Sequence, residues 1–234
     1  MTIRNYDEFI AALLKAGFSG AVGGRDEGVF DLFRYGWGAD DEGSAYWHSG
    51  DPDSDPWEWR VRVMAERRDI TYSKAFFRKA GYITREWYPY FLAARRGGMS
   101  FEEEYREGTV SHFAKRAYEA AAAHGSLPAH EIKRAAGVKR EDASKFDSAL
   151  TELQMRLYLT MCGTQPKISR EGKEYGWSSM VFCTTEHFWG GRTAEVFGEA
   201  ASIGRREAAQ AITEQILSLN PSARLDKIGK FIRG

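Results

Sequence analysis

The sequence is poor in residues that would build a cross-linked or membrane-spanning protein. Its 234 residues include two cysteines, which excludes a disulfide framework and a four-cysteine zinc site. No apolar run approaches the roughly 20 residues that a membrane span needs, and the first residues are too polar and acidic for a secretory signal. We therefore expect a cytoplasmic protein outside the membrane, with no metal site and no cofactor.

Several common catalytic motifs are also missing. There is no Gly-Lys-Ser/Thr phosphate loop, no dinucleotide-binding glycine pattern after a strand and no Gly-x-Ser-x-Gly elbow. Those motifs place backbone amides around phosphates or expose a nucleophilic serine. The sequence thus gives no support to the nucleotide-binding or hydrolase classes that use them.

Net charge is absent as well, with 33 basic and 33 acidic residues, but the charges are separated along the chain. Residues 1–58 hold four Lys/Arg and twelve Asp/Glu, whereas residues 59–100 hold ten and three. A basic block interleaved with aromatic residues is typical of nucleic-acid binding. The residues predicted to bind DNA here are Arg60, Arg67, Arg68, Arg78, Lys79, Arg85, Arg95 and Arg96. The alternative is that the aromatic residues form an ordinary core and the arginines a solvated face.

Hydrophobic spacing predicts mostly helices in the N-terminal part. The predicted helices span residues 6–17, 57–68, 73–79 and 84–96. Gly97-Gly98 and the acidic run 102–104 mark the best domain boundary. We expect an N-terminal, mainly helical domain over residues 1–105, containing an acidic loop and the basic, aromatic segment.

The pattern changes over residues 106–190. Three helices are predicted at 111–124, 127–137 and 141–154, then strands at 155–161 and 177–185 around a loop at 164–176. Helices followed by a two-stranded ribbon are typical of a winged helix-turn-helix domain. We expect a mainly α fold with a small β component and a winged helix-turn-helix architecture. Tandem winged-helix-like units are an alternative arrangement. A C-terminal helical extension, residues 191–234, adds a helix at 205–219 and a docking segment at 225–232.

The third predicted helix gives only weak support to DNA binding. It carries one cation, Lys145, and four carboxylates, whereas a helix that approaches phosphates needs net positive charge. Phosphate contacts are expected from residues around it and from the loop between the strands. These candidates are Lys139, Arg140, Lys145, Lys167, Arg170 and Lys173. A scaffold or protein-contact role is an equal alternative for this domain, with no protein partner identified.

Catalytic candidates are few. His48 and Glu58 lie near tryptophans, where a carboxylate can acquire a raised pKa, although a structural role is the alternative. The alternating Asp51, Asp53 and Asp55 lack the glycine and glutamate of a calcium loop, which favours Asp-Pro turns.

Two cysteines lie on the two predicted strands. Cys162 and Cys183 could approach His187, but no fourth zinc ligand is evident. We therefore interpret both cysteines as small core residues.

Five stretches resemble the bacterial AlkZ-related proteins. They are residues 55–60 (DPWEWR), 81–91 (GYITREWYPYF), 153–155 (LQM), 176–179 (GWSS) and 185–190 (TEHFWG). The resemblance implies a distant relation to the AlkZ/YcaQ-type DNA glycosylases, which are built from tandem winged helices and excise damaged bases. It therefore implies DNA as the partner and DNA repair as the setting.

The catalytic motif of those glycosylases, Gln-x-Gln or Gln-x-Asp, has no counterpart. The first glutamine is Gln154, and the triplet Gln154-Met155-Arg156 ends in a cation, the wrong sign for an oxocarbenium-like transition state. We expect a DNA-binding winged-helix protein, more readily a binder than an enzyme. The alternatives are a base-repair enzyme with a rebuilt site around His48 and Glu58, and a protein-interaction or structural module.

Overall fold

The computed structural model describes residues 3–20, 29–32, 49–169 and 171–234. Its N-terminal elements are α1 (Tyr6–Ala16), β1 (Phe18–Ser19), α2 (Pro56–Glu66), β2 (Ile70–Phe76), β3 (Lys79–Thr84), α3 (Tyr88–Arg96) and α4 (Phe101–Arg106). The middle elements are α5 (His112–His124), β4 (Ser126–Pro128), α6 (Ala129–Ala135), α7 (Ala143–Met155), β5 (Leu159–Gln165) and β6 (Ser179–Thr184). The last are α8 (Thr185–Trp189), α9 (Thr193–Ser202), α10 (Arg205–Leu219) and α11 (Leu225–Arg233).

One antiparallel sheet runs through the described part of the chain, in the order β1-β3-β2-β5-β6-β4. The pair Tyr72 and Met161 joins the N-terminal strands to the β5–β6 hairpin. The fold is thus mainly α with a β component, as the sequence predicts. Within the described residues, every helix is too short or too polar to cross a membrane.

The predicted helix at 73–79 is wrong, because these residues form the end of β2, a turn and the start of β3. Ile70, Thr71 and Tyr72 are strand formers, and six of the seven β2 residues are buried. A strand covered on both faces lacks the alternation that identifies a half-buried one. The turn residues Phe77 and Arg78 have positive φ angles of 50° and 62°, which suits a tight hairpin.

The predicted strand start at 155 is also wrong, since α7 continues through Met155 and β5 begins at Leu159. Leu157 has a φ of 61° and ends the helix as glycine often does. The amide of Tyr158 donates to the carbonyl of Leu153 over 2.8 Å, and the amide of Leu157 donates to that of Gln154 over 3.0 Å. These two bonds form the Schellman motif.

The predicted docking segment at 225–232 forms α11, whose Ile228, Phe231 and Ile232 are buried. Phe231 stacks on Phe76 with 3.9 Å between ring centroids, so the C-terminal helix seals the core beside β2. The sequence did not predict β4 or α9. Leu14 of α1 is 40% exposed, whereas its neighbour Leu13 is buried.

Candidate nucleic-acid interface

The β5–β6 hairpin projects a loop whose base is held together by hydrogen bonds. The strands pair from Leu159 opposite Thr184 to Gln165 opposite Ser179. Beyond them, the amide of Tyr175 donates to the carbonyl of Lys167 over 3.0 Å, and Ile168 bridges Glu174. The described residues of the loop therefore continue the hairpin as a narrow extension, which we call the wing (residues 164–169 and 171–178).

The wing carries most of the large exposed apolar side chains of the described residues. Trp177 is 82% exposed, Tyr175 57% and Ile168 56%. Water contact with so much apolar surface is unfavourable and is typical of an interaction site. The sequence predicts Trp177 at the start of a strand and indicates no role for it. An aromatic residue directly after Gly176, in a polar, glycine-containing loop, was the available signal.

Two of the predicted wing cations flank these apolar groups. Lys173 is exposed, Lys167 is half-buried, and the amide of Ser169 donates to the carbonyl of Lys173 over 2.8 Å in the turn. Arg170 lies outside the described residues. The wing thus presents positive charge beside aromatic surface.

The other predicted cations of this domain lie at the start of α7. Lys139 and Arg140 are exposed in the turn before the helix. The Lys145 ammonium lies 2.9 Å from an Asp142 carboxylate oxygen, so part of its charge is already neutralised. Near α7, Lys139 and Arg140 are the cations best placed for a phosphate.

The basic segment 59–100 is dispersed over the molecule, with several arginines committed to partners. Arg67 Nη2 lies 2.5 Å from Asp69, and Arg85 Nη2 lies 2.7 Å from Glu195 and 2.8 Å from Glu199. Arg60 stacks on Trp57 at 3.8 Å from the ring centroid.

Three other cations of the segment, Arg68, Arg78 and Lys79, differ in exposure and in their contacts. Arg68 is exposed but donates to the carbonyl of Met64 over 3.0 Å. Arg78 is exposed in the β2–β3 turn and Lys79 is half-buried at the start of β3. Only part of the predicted basic face is therefore available to a phosphate backbone.

Arg95 and Arg96, which the sequence predicts to bind DNA, hold the interior together by hydrogen bonds to backbone carbonyls. Arg96 is only 5% exposed and donates to the carbonyl of Arg156 over 3.2 Å. Arg95 donates to the carbonyls of Met155 over 2.6 Å and Ile232 over 2.7 Å. The amino-acid pattern of an amphipathic helix does not show whether its cations face water or the carbonyl groups at the ends of neighbouring helices. Both residues are left out of the DNA surface proposed below.

The aromatic residues of the same segment belong largely to the core. Tyr72, Tyr82 and Tyr88 are at most 6% exposed, whereas Trp87 and Tyr90 are half-buried. Burial raises the pKa of the Tyr82 phenol well above its usual value. These three tyrosines are therefore core residues and do not form a surface on which bases could stack.

Asp55 and the catalytic candidate Glu58 lie at the start of α2. Asp55 caps the helix, since its carboxylate accepts from the amide of Trp57 over 2.8 Å, which agrees with the Asp-Pro turn interpretation. Glu58 is half-buried in the first turn of α2. His48 lies outside the described residues.

Gln154, the first glutamine of the chain, has a structural role. It is 1% exposed, and its Oε1 accepts from the amide of Lys74 over 2.9 Å. Its Nε2 donates to the carbonyl of Leu150 over 2.8 Å. Both ends of the amide are occupied, so the side chain joins α7 to β2.

Cys162 and Cys183 are neighbouring free thiols on β5 and β6. Cys183 is buried and Cys162 half-buried. The hydrogen bond between them lowers the pKa of Cys162 and, with burial, raises that of Cys183. His187 is exposed in α8.

The family of the chain is shown by a match over nearly its whole length. The AlkZ related family model matches residues 3–233, so the chain belongs to this family, as the sequence motifs indicate. Membership relates the chain to DNA glycosylase-like proteins and to DNA repair. No curated protein and no solved structure matches the chain.

Proposed function

We propose that this is a cytoplasmic DNA-binding protein in which residues 106–190 form a winged helix, and that it lacks the glycosylase site of its relatives. The element order α5-β4-α6-α7-β5-β6 supports the fold assignment, as does the pairing of β4 with β6 on the far side from β5. The exposed Trp177 on the wing is the observation that carries the DNA-binding proposal.

The wing combines the two chemistries that bind nucleic acid without reading sequence. Lysines neutralise phosphates and release counterions. An exposed indole stacks on an unpaired base or wedges between base steps. With Lys167 and Lys173 beside Trp177 and Tyr175, one small surface of the wing offers both.

The third helix of the domain contributes less. A helix that enters the major groove needs net positive charge near the phosphates, whereas Glu141, Asp142 and Asp147 surround Lys145. Lys139 and Arg140, just before α7, supply the remaining backbone contacts. We propose that the wing provides more of the affinity than α7.

DNA affinity as a function of salt tests the proposal. Fluorescence anisotropy of a labelled duplex and a single strand should show binding that weakens with salt. The double variant Lys167→Gln/Lys173→Gln should reduce the steepness of the log–log salt dependence by about 2. The control Arg4→Gln/Lys15→Gln removes two exposed charges from the region of α1 and should leave the slope nearly unchanged.

A second variant separates stacking from charge. Trp177→Ala should weaken binding at least about fivefold, since base–aromatic stacking contributes about 1–3 kcal/mol, with no change in the salt slope. Absence of binding at 50 mM salt, or equal losses in the wing and control variants, would contradict the proposal and favour a protein-interaction module.

A further inference from the structure

A cavity away from the wing is lined by five arginines. It has a volume of about 640 Å³ and lies among α3, α7, α10, α11 and the β2–β3 turn. The arginines are Arg78, Arg95, Arg156, Arg205 and Arg233. Among the described residues, Glu152 is the one carboxylate that lines it. The cavity is therefore strongly positive.

Two of the arginines are already used to build the walls. Arg156 Nη1 lies 2.6 Å from Glu104, and its Nε lies 3.6 Å from Glu152. Arg95 donates to the last carbonyls of α7 and α11. Those helix ends would otherwise present partial negative charge to the cavity, so Arg95 offsets the repulsion that an anion would meet there.

The other three arginines keep hydrogen-bond donors available. In the described part of the chain, no carboxylate lies within 4.0 Å of the guanidinium groups of Arg78, Arg205 or Arg233. Arg205 gives one bond from Nη2 to the carbonyl of Arg96 over 3.1 Å. It rests against Gly97, where a Cβ atom would come within 2.5 Å of Nη2.

Arg78 reaches this cavity from an unfavourable backbone conformation. It follows Phe77 in a two-residue turn between Phe76 and Lys79, and both turn residues have positive φ. Such turns favour Asn and Gly. Phe77 packs near Phe231, with 6.1 Å between ring centroids, whereas Arg78 is exposed and lines the cavity. Side chains held in sparsely populated backbone regions concentrate at functional sites.

We propose that this cavity binds a phosphate-bearing ligand. Planar guanidinium groups donate pairs of parallel hydrogen bonds that fit phosphate oxygens. Three arginines with free donors around one volume suit a pyrophosphate or a terminal phosphate monoester better than a single carboxylate. The phosphate can belong to a small molecule or to the end of a DNA strand.

A second cavity shows that this charge is local. The cavity of about 810 Å³ beside Trp87 is lined by one arginine, Arg85, and by four carboxylates. These are Asp69, Glu86, Glu195 and Glu199. An anion is repelled there, so positive charge does not follow from cavity formation in general.

Calorimetric titration of the full chain with inorganic pyrophosphate at low salt tests the site. We expect binding in the wild type and at least about tenfold weaker binding in Arg78→Gly/Arg233→Gln, because each change removes a charged hydrogen-bond donor. Both side chains are exposed, and thermal melts will establish that the variant is folded. The matched control Arg106→Gln/Arg206→Gln removes two exposed cations that do not line the cavity and should bind like the wild type.

Competition between pyrophosphate and an oligonucleotide distinguishes the two sources of phosphate. The experiment uses the Lys167→Gln/Lys173→Gln variant, in which DNA binding by the wing is weakened. An oligonucleotide that displaces pyrophosphate only when its 5′ end is phosphorylated would identify a DNA end. Displacement by neither form would identify a small ligand. The proposal is overturned if pyrophosphate does not bind the wild type, or if it binds the Arg78→Gly/Arg233→Gln variant equally well. Either result leaves DNA binding by the wing unaffected.

Discussion

The guanidinium of Arg96 lies over the ring of Tyr158, 3.7 Å from its centroid. From this position Arg96 also donates to the carbonyl of Leu157, and its Nη1 lies 3.5 Å from Glu186. The same carbonyl accepts from the Thr185 hydroxyl over 2.9 Å. The turn between α7 and β5, with Leu157 in a left-handed conformation, is thus held by a buried arginine.

Arg96→Ala should lower the free energy of unfolding by at least about 2 kcal/mol, because it removes hydrogen bonds to buried carbonyls and a ring contact. Arg96→Lys should lie between wild type and Ala, since an ammonium keeps the charge but not the planar fork. Urea denaturation measures both. Arg106→Ala, at an exposed position, is the control and should change stability by less than about 0.5 kcal/mol. Equal effects of Arg96→Ala and the control would contradict this role.

Arg78→Gly should raise the free energy of unfolding by about 0.5–1 kcal/mol. Glycine adopts the positive φ of the turn without the steric penalty of a side chain, and this gain exceeds the added flexibility of the unfolded chain. Thermal and urea denaturation measure the change. Arg106→Gly, in a helix with ordinary backbone angles, should be destabilising. A loss of stability in Arg78→Gly would indicate that the side chain itself supports the turn.

Tyr6 should make stability sensitive to alkali. Burial, aided by the nearby Glu66 carboxylate, raises the pKa of Tyr6 to about 12, above the value near 10 in the unfolded chain. The stabilisation from the protonated phenol is fully present below pH 10 and is lost as pH rises from 10 to 12.

Tyr6→Phe should therefore lose less stability than the wild type between pH 10 and pH 12. Urea denaturation at intervals across that range measures the difference. Tyr175→Phe, which alters a phenol that is 57% exposed, should follow the wild type. Parallel curves for wild type and Tyr6→Phe would contradict the prediction.

We expect no release of alkylated bases from duplex DNA. The proposed function includes the lack of the glycosylase motif, and loss of one group that stabilises developing charge costs about 10²–10³ in rate. Excision assays with lesion-bearing DNA should compare wild type, Glu58→Gln and Glu66→Gln, the last removing an exposed carboxylate from the same helix. Base release by the wild type that is lost only in Glu58→Gln would support the rebuilt enzyme site instead.

Much of the helical structure follows from the sequence because local patterns decide it. Residues Ala208, Ile212 and Ile216 repeat every four positions and are buried in α10. Ser111 caps α5 through its side chain. The AlkZ-related motifs also identify the family from sequence alone, since they are local.

Tertiary structure decided what local patterns leave open. The strand β2 is covered on both faces, so its sequence has no alternation to separate it from a helix. Arg95 and Arg96 carry the same charge as Lys173, yet the first two donate to helix-end carbonyls and the third is exposed. The arginine cavity draws its side chains from positions 78 to 233. A cation's role depends on the groups that the fold brings within hydrogen-bonding distance, and those groups are distant in sequence.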